Sequence, residues 1–209
     1  HSASSAASDV YKRQAIKIAT DMVREKLITK EVAVSRVRPH QIYESLLKNI
    51  DPKDVENSLP ISLGLPAGPG ASCGIAVFTA EKAEELGKKN KKVILVREET
   101  SPEDIHGMHY SEGILTSRGG LTSHAALVAR GWGKSCVVGC QDLTIDKSHT
   151  FAKIGDKKIK EGDHITLNGS SGDIYLGKMR LFQNPLDNTG PLSLLSLIHI
   201  SEPTRQHAI

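Results

Sequence analysis

"RGGLTSHAALVARGWGKSCVVGC", residues 118–140, decides how the rest of the chain is read. Gly119 and Gly120 precede two hydroxyl residues, Thr122 and Ser123, and then His124. A small and aliphatic run follows, Ala125 to Ala129, and "SCVVGC" reads as a strand. The order is loop, helix, strand. With the helix start at Thr122 or Ser123, His124 falls in the first turn, where unpaired N–H groups and the positive end of the helix dipole gather. That field disfavours imidazolium and keeps a ring lone pair available. A phosphoryl group taken up there would place its charge where a helix start favours anions. Gly119 and Gly120 leave room for backbone to approach phosphate oxygens, and Thr122 and Ser123 offer hydroxyl donors. Arg118 and Arg130 are either charge partners or solvent-facing. Gly131 is expected to end the helix in a left-handed cap. The plainer alternative is a capping sequence with a bystander histidine.

Outward from this stretch the pattern alternates. "IAVFTA" reads as a strand and "EKAEELGKKN" as a short charged helix. "KVILVRE" is an aliphatic run suited to a strand buried on both faces. In "SPEDIHGM", Ser101 is an N-cap and Pro102 sits at the first helical position. "GILTS" is a strand. "GSSG" between "HITL" and "DIYL" marks a hairpin. Strands alternating with helices, then hairpins, predict a mixed α/β domain over 61–183.

Upstream, apolar residues at helical spacing from Gln14 to Leu27 predict an amphipathic helix. Thr29 caps a second one carrying Val32, Ala33 and Val37, which "RP" at 38–39 terminates. "QIYESLL" adds a turn. This arm is expected to be too small for a core of its own. "DPKDVENSLP" reads as a linker, which completes a segment at 14–60. "GLPAGPGASCG" reads as a surface loop, a hinge or a ligand-facing loop. The ends, 1–13 and 184–209, look like non-native flanks, and the chain is expected to be part of a longer protein.

Composition sets further limits. The chain has 209 residues, 4% aromatic and 38% hydrophobic, so its core is mainly aliphatic. A scattered net charge of +3 gives no nucleic-acid footprint. Three cysteines make no disulfide framework, which points to a reducing, cytoplasmic setting. No apolar run approaches the roughly 20 residues that a membrane helix needs. Cys136 and Cys140 read as buried small residues rather than metal ligands. "HGMH", with His106 and His109, reads as a solvated turn, and Lys88, Lys89, Lys91 and Lys92 as an exposed charged face. "EETSPED" is acidic, but no metal site is assigned to the chain.

The stretch "GGLTSHAALVARGWGKSCVVGC" resembles the phosphohistidine motif of the pyruvate, phosphate dikinase family, among the PEP-utilising enzymes. "KIATDMVREKLITKEVAVSRVRPHQI", "GLPAGPGASCGIAVFTAEKA", "KVILVREETSPEDIHGM", "GILTSRGG" and "LNGSSGDIYLG" resemble it in the same order, covering about 14–180. Leu121 stands where the family usually has Met. The resemblance implies a swivelling β/β/α phosphohistidine domain, with 14–60 as the end of the nucleotide-binding part. It implies that His124 is phosphorylated by an ATP-grasp domain and passes the group to pyruvate in a barrel domain. Mg²⁺ is then held by those other domains, and the full enzyme is a homo-oligomer. In some members the threonine matching Thr122 is phosphorylated by a regulatory protein that inactivates the enzyme. Phosphoenolpyruvate synthase and enzyme I of the sugar phosphotransferase system share the Gly-Gly-x-Thr-x-His start. They usually carry Arg where Leu121 stands and lack the "GK-x-CV-x-GC" continuation. A noncatalytic interaction domain is the remaining alternative.

Overall fold

The computed structural model describes residues 18–38, 43 and 46–183, which fall into two units, one ending at Leu47 and rejoined from Gln183, the other Lys48–Phe182. In the smaller unit, 18–24 is helical and α1 spans Lys30–Arg36. Thr29 caps α1 by accepting from the Val32 N–H at 3.4 Å. Ala19, Ala33 and Val37 are buried together, edged by Val23, Ile28 and Leu46. The arm thus closes a small cluster of its own, contrary to expectation, because its two helical segments turn apolar faces towards each other. Ile18 and Leu27 remain exposed. The expected helical residues 14–17, most of "QIYESLL" and both terminal flanks lie outside the described residues.

The larger unit begins and ends side by side. β1 (Asn49–Ile50) pairs antiparallel with the last strand, β13 (Leu181–Phe182). The stretch expected to be a linker opens instead with α2 (Pro52–Glu56). Asp51 accepts from the Lys53 N–H at 3.0 Å, and Pro52 supplies a preset φ at the first helical position. The Arg180 guanidinium holds Asp54 at 2.6 Å. A cap, a proline start and an ion pair fold a polar stretch that composition alone marked as loose.

The main sheet contains β2 (Ser62–Leu63), β3 (Leu65–Gly68), β4 (Ala71–Val77), β5 (Val93–Arg97), β6 (Gly113–Thr116), β7 (Ser135–Val138), β11 (His164–Asn168) and β12 (Asp173–Leu176). Its order is β2-β12-β11-β4-β5-β6-β7-β3. β4 to β7 run parallel, and the remaining pairs are antiparallel. The two edge strands, β2 and β3, are separated in sequence by Gly64 alone, so the sheet curls until its edges meet. This corrects the loop expected at "GLPAGPGASCG". Its first part is edge strand β3, where Pro66 is tolerated, and its second part opens β4. Glycine is needed for closeness, since a Cβ on Gly68 would stand 2.3 Å from the Lys134 carbonyl oxygen.

A second sheet, β10-β9-β8, is antiparallel: β8 (Leu143–Ile145), β9 (Phe151–Ile154) and β10 (Lys157–Lys160). Helices α3 (Ala80–Lys88), α4 (Ile105–Tyr110) and α5 (His124–Gly131) complete the unit. Strand alternation separates two cores. Ile94 and Val96 of β5 join Leu143, Ile145, Ile154 and Ile159 of the small sheet. Val93 and Leu95 join Ala83 of α3, Met108 of α4, and Ala125, Ala126 and Ala129 of α5. The layers are therefore sheet, sheet and helices, the expected β/β/α arrangement.

Candidate functional site

His124 is the first residue of α5, and Ser123 is its N-cap. The Ser123 backbone is extended, at φ −65° and ψ 161°, and its Oγ accepts from the Ala126 N–H at 3.5 Å. The first helical bond runs from the Leu127 N–H to the Ser123 carbonyl at 3.0 Å. The amides of His124 and Ala125 make no backbone bond among the described residues. Two donors at the helix start are thus left aimed past its end. The His124 ring is half-buried, and its Nε2 is shut off from solvent with no hydrogen-bond partner among the described residues.

The loop that delivers this ring is fastened at several points. The Ser117 N–H donates to the Arg97 carbonyl at 3.2 Å and the Arg118 N–H to the Glu98 carbonyl at 2.8 Å, which extends the β5–β6 ladder. The Thr116 hydroxyl donates to the Arg118 carbonyl at 2.7 Å. Gly119 then turns at φ +101°, a left-handed conformation, and a Cβ there would stand 2.9 Å from Ser123 Cβ. The neighbouring glycine differs, because a Cβ on Gly120 would meet nothing within 4 Å. The Ser123 N–H bonds the Gly120 carbonyl at 2.9 Å. One glycine makes the turn and the other leaves open space.

The flanking arginines are occupied. Arg118 lies 4.0 Å from Glu98, both well exposed. Arg130 Nη2 donates to the Leu121 carbonyl at 2.5 Å, pinning the loop to the helix it precedes. Thr122 is exposed, and the helix cap belongs to Ser123.

The far end of α5 also differs from expectation. Gly131 is still helical, and Gly133 takes the left-handed turn at φ +64°. The Lys134 N–H reaches the Ala129 carbonyl at 2.9 Å and the Gly133 N–H the Arg130 carbonyl at 3.2 Å, closing a Schellman motif. The helix runs two residues further than the first glycine suggests because the left-handed turn falls at Gly133, not Gly131. Lys134 Nζ donates to the carbonyls of His109 (2.6 Å) and Ser111, so "GK" clamps the end of α4.

Two contributors escaped the sequence reading. Gly139, at φ +64°, lets β7's exit pass so close that a Cβ would stand 2.9 Å from the Gly119 carbonyl oxygen. The only sequence signal was its place in "VVGC". Thr116 ties the loop entry, and nothing in "GILTS" marked it.

The other constellations disperse. Cys136 and Cys140 are free and lie in different cores, on opposite sides of the sheet. Burial pushes the Cys136 thiol up to about 12 and raises that of Cys140. His109 rests edge-on against Trp132 at 5.3 Å. Asp104 of "EETSPED" accepts from the Ser101 N–H at 2.9 Å and lies 3.4 Å from Arg97. No group of three metal-ligating side chains is gathered among the described residues, and no described helix is long and apolar enough to cross a membrane.

The family model "PEP-utilising enzyme, mobile domain" matches residues 89–172. The chain is 51% identical over 168 residues to "Pyruvate, phosphate dikinase 1, chloroplastic" of Arabidopsis thaliana, covering 80% of this chain and 17% of that protein. It is 52% identical over 180 residues to "Pyruvate, phosphate dikinase" of Rickettsia felis, covering 86% of this chain and 20% of that protein. "Pyruvate, phosphate dikinase 2" of Zea mays is 48% identical over 169 residues, covering 81% and 19%. The chain spans about a fifth of the length of these curated relatives. Residues 89–172 are thus similar to the mobile domain of PEP-utilising enzymes, and most of the chain is similar in sequence to these pyruvate, phosphate dikinases.

Proposed function

We propose that this chain is the phosphoryl-carrying part of a longer pyruvate, phosphate dikinase and that His124 is the carrier. The observation that carries this reading is the placement of His124. It stands at the start of α5, behind the left-handed Gly119 turn, and among the described residues the amides beside it and its Nε2 have no partner. An imidazole nitrogen that keeps its lone pair is a nucleophile, and covalent catalysis splits one difficult transfer into two. In the forward sense Nε2 attacks the β-phosphorus of ATP, forming an N–P bond and releasing AMP, and phosphate then takes the terminal phosphoryl group away as diphosphate, leaving one phosphoryl group on the ring. The enolate oxygen of pyruvate then takes the phosphoryl group and frees the ring. The net reaction is ATP + phosphate + pyruvate = AMP + diphosphate + phosphoenolpyruvate.

On this reading, Gly120 supplies the open approach for phosphate oxygens, and Thr122 and Ser123 line it. The nucleotide and pyruvate sites belong to an ATP-grasp domain and a barrel domain of the same enzyme, which would hold Mg²⁺ with the phosphates. Leu121 and Leu127, 46% and 57% exposed on either side of His124, give those domains an apolar surface to meet. Homo-oligomeric assembly and a reducing, cytoplasmic setting complete the proposal, the latter supported by three free, buried cysteines. The chain by itself is expected to turn over neither ATP nor pyruvate. The test is to combine the chain with the two complementary domains and labelled phosphoenolpyruvate. Acid-labile label is expected on His124 and is lost in His124→Asn. Equal labelling of that variant would refute the carrier role.

A further inference from the structure

Five buried side-chain polar atoms have no hydrogen-bond partner among the described residues: Ser72 Oγ, Arg97 Nε, Thr100 Oγ1, His124 Nε2 and Ser135 Oγ. Their positions separate them. Ser135 opens β7, and Ser72 lies beside Gly113, which opens β6: a Cβ on Gly113 would stand 2.1 Å from Ser72 Oγ. Both therefore belong to the starting ends of the parallel strands. Arg97 is at the finishing end, but its head is turned to the β4 side. Its Nη1 donates to the Phe78 carbonyl at 3.3 Å and its Nη2 lies 3.4 Å from Asp104 Oδ1. Thr100 and His124 remain.

These two stand on adjoining loops. Thr100, 5% exposed, lies in the turn that leaves β5. Two residues before it, the Glu98 carbonyl accepts from the Arg118 N–H at 2.8 Å and from the Ser117 hydroxyl at 3.3 Å. Ser117 and Arg118 begin the loop that ends at His124. Both orphaned groups thus sit where parallel α/β sheets gather ligands, beyond the carboxyl ends of their strands. Their chemistries are complementary, since one is a hydroxyl with a proton to donate and the other a ring nitrogen with a lone pair to accept it. A buried hydroxyl that bonds nothing is a cost without a structural return.

We infer that Thr100 is a positioning residue for His124. This rests on the reading of His124 as the carrier. By a rotation about its Cα–Cβ bond, the Thr100 hydroxyl donates to Nε2 in the unphosphorylated chain. That bond selects the tautomer protonated at Nδ1 and fixes the ring plane. When the N–P bond takes up the lone pair, the hydroxyl turns to a phosphoryl oxygen and keeps a partner. One side chain then serves both states of the carrier without moving the loop.

The experiment uses the chain with ¹⁵N-labelled histidine, long-range ¹H–¹⁵N correlation and His124→Asn for assignment. In the wild type, His124 is expected to be a single Nδ1–H tautomer, with Nε2 shifted upfield from the free-imine position. Thr100→Ser should keep that signature. Thr100→Val, of nearly equal volume, should move Nε2 downfield and mix the tautomers while the amide spectrum stays folded; Thr100→Ala serves if Val unfolds the chain. Chemical phosphorylation with phosphoramidate supplies a second reading, in which the phosphohistidine of the Val chain hydrolyses several-fold faster than that of wild type or Ser. Superimposable His124 signals in wild type and Val would overturn the inference. A Thr100-dependent tautomer in a chain that takes no label from phosphoenolpyruvate would leave the Thr100–His124 bond standing and remove the carrier reading instead.

Discussion

Helices α3 and α5 lie on the same face of the same sheet and are built to opposite specifications. Both dock through alanine, Ala80 and Ala83 in α3 and Ala125, Ala126 and Ala129 in α5, so both backbones approach the strands closely. Their outer faces diverge. α3 carries Lys88–Glu84 at 2.6 Å, Lys82–Glu85 at 3.1 Å and, from its C-cap, Lys89–Glu85 at 2.7 Å. Among the described residues no ion pair involves an α5 side chain, and its exposed residues include Leu127 and Arg130. Entry also differs. Thr79 caps α3 straight after β4, whereas α5 is reached through a left-handed glycine turn pinned by Arg130. α3, packed on α4, is secured by a cap and surface charges. α5, on whose first turn the proposed carrier stands, has its entry loop held instead.

The strongest way to break this contrast is to put charge on α5's entry. Thr122→Asp should reduce phosphorylation of His124 to background in the reassembled enzyme, with Thr122→Ser near wild type and Thr122→Val close behind. A fixed negative charge two residues before His124 competes for the same helix-start amides and repels an incoming phosphoryl group. Because Ser123 holds the cap, folding should be unchanged, which thermal melting would check. Equal labelling of the Asp and Ser variants would show that charge at Thr122 is no switch.

A smaller effect should separate the glycines. Gly119→Ala forces a side chain into φ +101° and against Ser123, and is expected to cost about 1–3 kcal/mol, with slowed labelling of His124. Gly131→Ala, in the helix with open space around it, should instead stabilise by about 0.5–1 kcal/mol and leave labelling intact. Denaturant midpoints for the two variants measure both. Matching shifts would mean that the entry turn is no more constrained than the helix end.

The smallest effect tests the packing under α5. Burial raises the Cys136 thiol from 9.0 to about 12. Above pH 9 the unfolded chain sheds this proton while the folded chain keeps it, so stability should fall between about pH 9 and about pH 12. Below that window both states hold the proton and the thiol contributes no slope. Cys136→Ala should flatten the fall by about one proton, or about 1.4 kcal/mol per pH unit. An unchanged slope would mean that the layer beneath α5 admits water.

How much of this was legible beforehand depends on the range of the interactions. "KVILVRE" announced a strand buried on both faces, and β5 contributes alternate residues to two cores. Thr29 caps α1 as expected, because capping acts within three residues, whereas Thr79, read as part of the strand "IAVFTA", caps α3 instead. "LPAGPGASCG" hid edge strand β3 and the start of β4, since strand pairing is decided by partners more than sixty residues away, at β7 and β11. The polar "DPKDVE" hid α2, which takes its ion pair from Arg180.

The site divides in the same way. Sequence by itself placed His124 at a helix start behind glycines, because helix periodicity, capping and chain direction are local properties, whereas the phosphohistidine reading came from the resemblance of the whole stretch to a known motif. It could not say which glycine turns, which serine or threonine caps, or what the arginines hold. Those depended on tertiary structure. Gly139 had to arrive from β7 to crowd the Gly119 carbonyl, Arg130 had to fold back onto Leu121, and β5 had to bring the Thr100 turn beside the loop of His124. Such contacts join residues that only the sheet order makes neighbours, so no pattern along the chain encodes them.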